Sequence, residues 1–215
     1  MAQASETQID QVDGAEAAPR RRLPGSERRA MIVEAATQLV SERGYDGMSI
    51  AELAAAAGVT KSVVYDHFAS KREIHIEVLR TEATEMMTRI GQAMFKEDEP
   101  DQRVRAGIYE FFRVVQERPY SRVCLQPAAV ADPAIMDAQA EIARAGRSSL
   151  ALVLGPLLEG DRSQAELEMF SSVVRGAMSE MATWWDEHPD TPRDDVAEHT
   201  FQQVWIGMKA FERSV

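Results

Sequence analysis

Between Gly44 and Glu73 the sequence is punctuated so closely that only short helices fit, and this constrains the fold more than any other feature. Ser49-Ile50-Ala51-Glu52 has the form of a capping box, the Ser hydroxyl taking one free N–H at a helix start and the Glu reaching back to another. Gly58-Val59 then breaks the chain, and Thr60 can cap a new helix two residues later. Ser70-Lys71-Arg72-Glu73 repeats the capping pattern. Upstream, Ile32, Val33, Ala36, Leu39 and Val40 share one helical face, and Gly44 supplies a left-handed stop. The segment therefore reads helix, short Ala-rich helix, tight turn, short helix.

The rest of the chain punctuates in the same way. Ser70 opens a long helix carrying Ile74, Val78, Met86, Ile90 and Met94 on one broad face, predicted to end near Lys96. Asp101 to Arg118 stops at Pro119; Asp132-Pro133, Ser163 with Glu166, and Thr191-Pro192 with Asp194 each open a further helix. Strand patterns are nearly absent, so an all-α chain is expected. With 45% apolar residues among 215, a substantial core can form. The longest apolar run, Leu150 to Leu158, is broken by Gly155-Pro156 and falls far short of the roughly 20 residues that span a bilayer. The single Cys124 cannot form an intrachain disulfide, and no leader pattern is seen; a cytoplasmic location is expected.

Net charge is −11, yet the cations are not spread evenly. Residues 20–72 hold nine Lys/Arg against six Asp/Glu, whereas residues 1–19 hold four acids and no base. This divides the chain into an acidic tail over 1–19, read as disordered, a mildly basic unit over 20–72, and an acidic remainder over 73–215. Arg20, Arg21 and Arg22 are either a solvated charge run or an arm for a DNA minor groove.

The third predicted helix explains where such cations could act. Thr60, Lys61 and Ser62 stand at its start, Tyr65 and His67 near its end, and Lys71 opens the next helix. A helix entering a major groove needs side chains in its first turn that reach base edges, flanked by donors to phosphate. Lys61 and Ser62 suit the first role; Thr60, Tyr65, His67 and Lys71 suit the second, while Val59, Val63, Val64 and Phe68 face inward. From about Ser26 to Leu79 the sequence resembles the DNA-binding domain of the TetR family of bacterial transcription regulators. Gly44-Tyr45, Ser49, Leu53-Ala54, Ala57-Gly58-Val59, Tyr65-Asp66-His67-Phe68 and Ser70-Lys71 carry that resemblance. Ser62 stands where the family often has Gly, and Val64 where it often has Leu. The resemblance implies that Tyr65, His67 and Lys71 meet phosphates, that Ser49 also lies at the DNA, and that about nine helices form the fold, the later ones building a sensing and dimerisation domain.

Past residue 80 the resemblance is architectural only. Phe170, Val174, Ala177, Met178, Met181 and Trp185 form one apolar stripe, and Ala197, Phe201, Val204, Trp205, Met208 and Phe211 another. The family's habit assigns Phe170, Val174, Ala177, Trp185, Phe201, Val204, Trp205 and Met208 to a homodimer interface; intrachain core is the other reading. The family also implies a small-molecule cavity, for which the soft and aromatic candidates are Met86, Met87, Ile90, Tyr109, Phe112, Cys124, Met136, Met178, Met181 and Trp184. A ligand so surrounded would be largely apolar or aromatic. No cofactor, metal or membrane partner is expected, and no catalysis: Asp195 and His199 stand one turn apart without a third ligand, and Cys124 has no activating neighbour. The reading is a ligand-released repressor of a palindromic operator; the alternatives are an activator of the same fold, or a helical sensor that signals through a protein partner.

Overall fold

The computed structural model describes residues 24–124, 131–158 and 162–212, with the side chains of 122–124 and 211–212 excepted. The acidic tail, Arg20, Arg21, Arg22 and the side chain of Cys124 lie outside the described residues. Eight α-helices occur among those described, where about nine were expected: α1 Gly25–Gly47, α2 Ile50–Ala56, α3 Lys61–His67, α4 Lys71–Met94, α5 Pro100–Glu117, α6 Pro133–Leu154, α7 Gln164–Glu187 and α8 Arg193–Glu212. Two further helical stretches, Pro119–Cys124 and Gly155–Leu157, are 3-10 turns.

Predicted caps open α2, α3, α4, α6 and α7, with one difference. Ser49 accepts from the Glu52 N–H at 3.2 Å while the Glu52 carboxylate accepts from the Ser49 N–H at 3.2 Å, and Ser163 with Glu166 forms the same box. At α4 the Ser70 hydroxyl accepts from the Glu73 N–H, but the Glu73 carboxylate takes the N–H of Ala69 at 2.7 Å, one residue earlier than a capping box requires. Gly44 leaves the helical path at φ 70°, ψ 175°, so its φ is positive but its ψ is extended; the final residues of α1 follow that kink. Gly58, at φ 64°, turns the chain between α2 and α3.

Two hydrophobic clusters result. The first holds Ile32, Ala36, Leu53, Val64, Phe68 and Ile74, and runs on through Val78 and Leu79 of α4 to Tyr120 and Ile135. Packing thus carries the N-terminal unit past residue 72, because the first turns of α4 bury the side chains that hold α1 to α3 together. The second cluster lies among α4 to α8, with Phe111, Phe112, Leu154, Phe201 and Met208 inside it. Each such side chain is stabilised by about 1.5–3 kcal/mol on burial.

Helix α4 passes from one cluster to the other, and buried polar groups stand at the crossing. Glu82 is 1% exposed and accepts from Arg118 Nε at 3.1 Å; a second Arg118 nitrogen lies 3.8 Å from Glu34 of α1. A buried carboxylate is tolerable only when paired, and this pair ties α1, α4 and the end of α5 together. About two helical turns earlier, His75 is buried under the Tyr45 ring, centroids 4.7 Å apart, and the Tyr120 hydroxyl lies 3.2 Å from its Nδ1.

Candidate nucleic-acid interface and effector cavity

Helix α3 is held at both ends and on one side, leaving a polar face outward. Thr60 caps it, its hydroxyl accepting from the Val63 N–H at 3.3 Å, and Val64 and Phe68 are fully buried beneath it. Val59 and Val63 are half-buried. Arg29 of α1 lies over the Phe68 ring at 4.1 Å and donates to the His67 carbonyl at 3.0 Å, fixing the C-terminal end. Lys61, Ser62 and Tyr65 are exposed on the free face, Tyr65 at 55%. Asp66 is exposed beside them and His67 is half-buried.

Two further residues expected at the DNA, Ser49 and the phosphate donor Lys71, already have work inside the fold. The Ser49 hydroxyl is engaged with Glu52, whose carboxylate this hydrogen bonding holds below its usual range. The Lys71 ammonium sits over the Tyr45 ring at 4.6 Å and donates to the Asp46 carbonyl at 3.2 Å, bracing the α1–α2 join. Sequence reasoning did not single out Tyr45 for that bracing, nor Arg29, which a cation–π contact to Phe68 would have made visible only once the helices were packed.

A cavity of about 490 Å³ opens among α4, α5, α6 and α7. Met86, Met87, Ile90 and Met178 line it, as their soft side chains suggested, together with Ile108, Phe111, Ile142 and Leu154. Tyr109, Phe112, Met136, Met181 and Trp184 do not. On α5, Val104, Gly107, Ile108 and Phe111 recur at helical spacing toward the cavity, which turns Tyr109 and Phe112 away. Tyr109 donates to Glu198 of α8 at 3.0 Å, and burial with that carboxylate raises its pKa above the usual phenol value. Phe112 packs edge-on to Trp185 in the core, Met136 is exposed in the first turn of α6, Met181 packs against the second cluster, and Trp184 stacks on His188 at 4.1 Å. The polar lining was not predicted: Arg80, Thr84, Thr88, Glu141, Ser149 and Arg175. Alternating charge on a helix face looks like ordinary solvated surface until the facing helix is in place.

The two C-terminal stripes turn inward. Phe201, Val204 and Met208 are buried in the chain's own core, and Val174 lines the cavity. Phe170, Ala177, Trp185 and Trp205 are half-buried; Trp185 donates its ring N–H to the Thr191 carbonyl at 2.9 Å and so pins the α7–α8 turn. The residues left outward are Met169 and Val173 of α7 and Ile206 of α8, at 63%, 69% and 63% exposed, with Gly176 one turn from Val173 and Gly207 beside Ile206. A Cβ built on either glycine meets nothing within 4 Å. Among the described residues no group of three His, Cys, Asp or Glu side chains could hold a metal ion, and no helix is long and apolar enough to cross a membrane.

Comparison with known proteins agrees with this geometry. The family model described as bacterial regulatory proteins, tetR family, matches residues 32–78, the segment that supplies most of the first cluster. The chain is 27% identical to the HTH-type transcriptional activator FasR of Mycolicibacterium smegmatis over 188 residues, 87% of this chain and 85% of that protein. Its fold is similar to a tetR-family transcriptional regulator from Streptomyces coelicolor, with TM-score 0.72 at 18% identity over 87% of each chain. It is also similar to the transcriptional regulator FadR from Bacillus subtilis in complex with stearoyl-CoA, with TM-score 0.68 at 15% identity over 81% of this chain and 96% of that one. An all-α architecture and a capped three-helix unit with an exposed polar face thus go with a tetR-family match over residues 32–78 and with a fold similar to that of a tetR-family regulator along most of the chain.

Proposed function

We propose that this protein is a ligand-responsive transcription regulator that binds a palindromic DNA operator as a homodimer. In this reading Lys61 and Ser62 reach base edges in the major groove, while Thr60, Tyr65, His67 and Lys71 hold phosphates, and Ser49 acts through the cap it forms. The observation that carries the reading is α3 itself: a short helix fixed by Thr60, Phe68 and Arg29, with Lys61, Ser62 and Tyr65 all turned to solvent. The dimer would be closed by the outward face of α7 and α8 around Met169, Val173, Gly176 and Ile206, since Val174, Phe201, Val204 and Met208 of the stripes first assigned to it are buried within the chain.

The effector is a largely apolar molecule held in the cavity among α4 to α7. The apolar lining supports this, and so does the likeness to a regulator whose structure contains stearoyl-CoA, which favours a long acyl chain over a compact aromatic. Binding there would bias α4, the helix shared with the DNA-reading unit, and so change the separation of the two α3 helices. Release from the operator gives repression as the default output. Activation is the second reading, favoured by the near full-length similarity to an activator. Retention of sheared genomic DNA on the purified protein, followed by sequencing, tests the proposal. A palindrome should be enriched and lost on adding effector; no enriched sequence at any salt concentration would overturn it. A reporter read with and without the gene then assigns the sign of regulation.

A further inference from the structure

The cavity is open on one side and blind on the other. Thr84 and Thr88 of α4 and Ala145 of α6 are exposed lining residues that mark a slot to solvent, across which the exposed Arg80 and Glu141 pair at 2.9 Å. On the far side the lining is Met94, Val104, Gly107 and Val204, all buried and none with a polar side chain. Along α4 the lining runs from Arg80 to Met94, about 21 Å of helix axis, close to the length of an extended palmitoyl chain. A polar group driven to the blind end would lose water and gain no partner, so that end suits the apolar end of a ligand.

Gly107 is the tightest point of the blind end. A Cβ built on it would stand 2.8 Å from Met94 Cγ and 2.9 Å from Met94 Sδ, with Ile90 Cγ2 at 3.6 Å. Glycine is a poor residue for the interior of a helix such as α5, and no positive φ calls for it here. What the position uses is the missing side chain, which leaves room for the flexible Met94 thioether beside it. We propose that Gly107 and Met94 together set the length of acyl chain that the cavity accepts, the methyl end stopping against Met94 while the head stays at the slot. A side chain at position 107 would push the thioether into the cavity and make it shallower. This rests on the reading of the cavity as the effector site.

Calorimetric titration of the full chain with lauroyl-, palmitoyl- and arachidoyl-CoA, and with the three matching free acids, tests the assignment and shows which head is taken. Wild type should bind palmitoyl more tightly than lauroyl, each further buried methylene being worth roughly fourfold. Gly107→Leu should weaken palmitoyl at least about tenfold, the loss of about two methylenes of depth, and leave lauroyl, which ends short of the floor, nearly unchanged. Retained lauroyl binding also shows that the variant is folded. Met94→Ala deepens the floor and should raise arachidoyl relative to palmitoyl by roughly fourfold or more. Gly107→Leu combined with Met94→Ala should recover palmitoyl binding, since the two side chains compete for one space. An equal loss at all three lengths in Gly107→Leu overturns the assignment and leaves the cavity as the effector site. If Gly107→Leu loses helicity, Met94→Ala decides alone, and an arachidoyl-to-palmitoyl ratio equal to that of wild type overturns the assignment. Absence of binding to wild type by every chain with either head overturns the effector reading itself.

Discussion

Tyr65 and Lys61 are exposed side chains on a helix anchored by the buried Val64, so their replacement tests DNA contact with little effect on the core. Tyr65→Phe removes one hydroxyl donor and should weaken operator binding roughly 2- to 10-fold, equally across sequences. Lys61→Ala should weaken it by about 1–3 kcal/mol if the ammonium meets a base, with relaxed preference at one position of each half-site. Fluorescence anisotropy on operator and scrambled duplexes distinguishes the two patterns. His75 gives a residue-scale prediction of another kind. Burial, with a smaller contribution from Lys71, lowers its pKa from 6.5 to about 4, so the folded state holds a neutral imidazole hydrogen-bonded to the Tyr120 hydroxyl. The unfolded chain binds this proton first as pH falls, so stability is complete above about pH 6.5 and declines toward pH 4, by at most about 3 kcal/mol. Thermal melts from pH 7 to 4.5 should show a smaller decline in His75→Leu than in wild type.

At the scale of the element, the turn between α2 and α3 sets where α3 points. Gly58 has φ 64° and no heavy atom within 4 Å of a built Cβ, so Gly58→Ala meets backbone strain and nothing else. A loss of about 1–2 kcal/mol is expected in chemical denaturation, with α3 still helical. Helices α1 to α3 were legible in the sequence because their ends are written locally: Ser49, Gly58, Thr60 and Ser70 each act on backbone groups within a few residues. The start of α6 was legible for the same reason, with Asp132 accepting from the Ala134 N–H at 2.9 Å and Pro133 at the first helical position. What could not be read was which face of each helix looks where. Tyr109 and Ile108 are adjacent in sequence, yet one is tied to α8 and the other lines the cavity. That choice depends on the rotation of α5 between α4 and α8, a relation between distant segments. The apolar stripes of α7 and α8 were visible, but periodicity marks a buried face without saying whether the chain or its twin buries it.

At the scale of the whole molecule, a net charge of −11 and a DNA-binding face are compatible because the cations needed at the groove lie in residues 20–72, while the acid excess lies elsewhere. The account also needs two copies. Val173→Arg with Ile206→Arg places charge on the outward face of α7 and α8 without touching the core; sedimentation should show monomers of undiminished helicity, with operator affinity lowered by at least tenfold through lost avidity. A variant that remains dimeric would place the interface elsewhere. The central claim, that two α3 helices lie in one operator, is tested most directly by hydroxyl-radical footprinting of the protein on the DNA it enriches. The account predicts two symmetric protected half-sites on one face of the duplex, their centres one helical turn apart or a small multiple of it, about 34–36 Å per turn, with protection lost in Lys61→Ala,Tyr65→Ala. A single unpaired footprint, or protection that survives those substitutions unchanged, would contradict it.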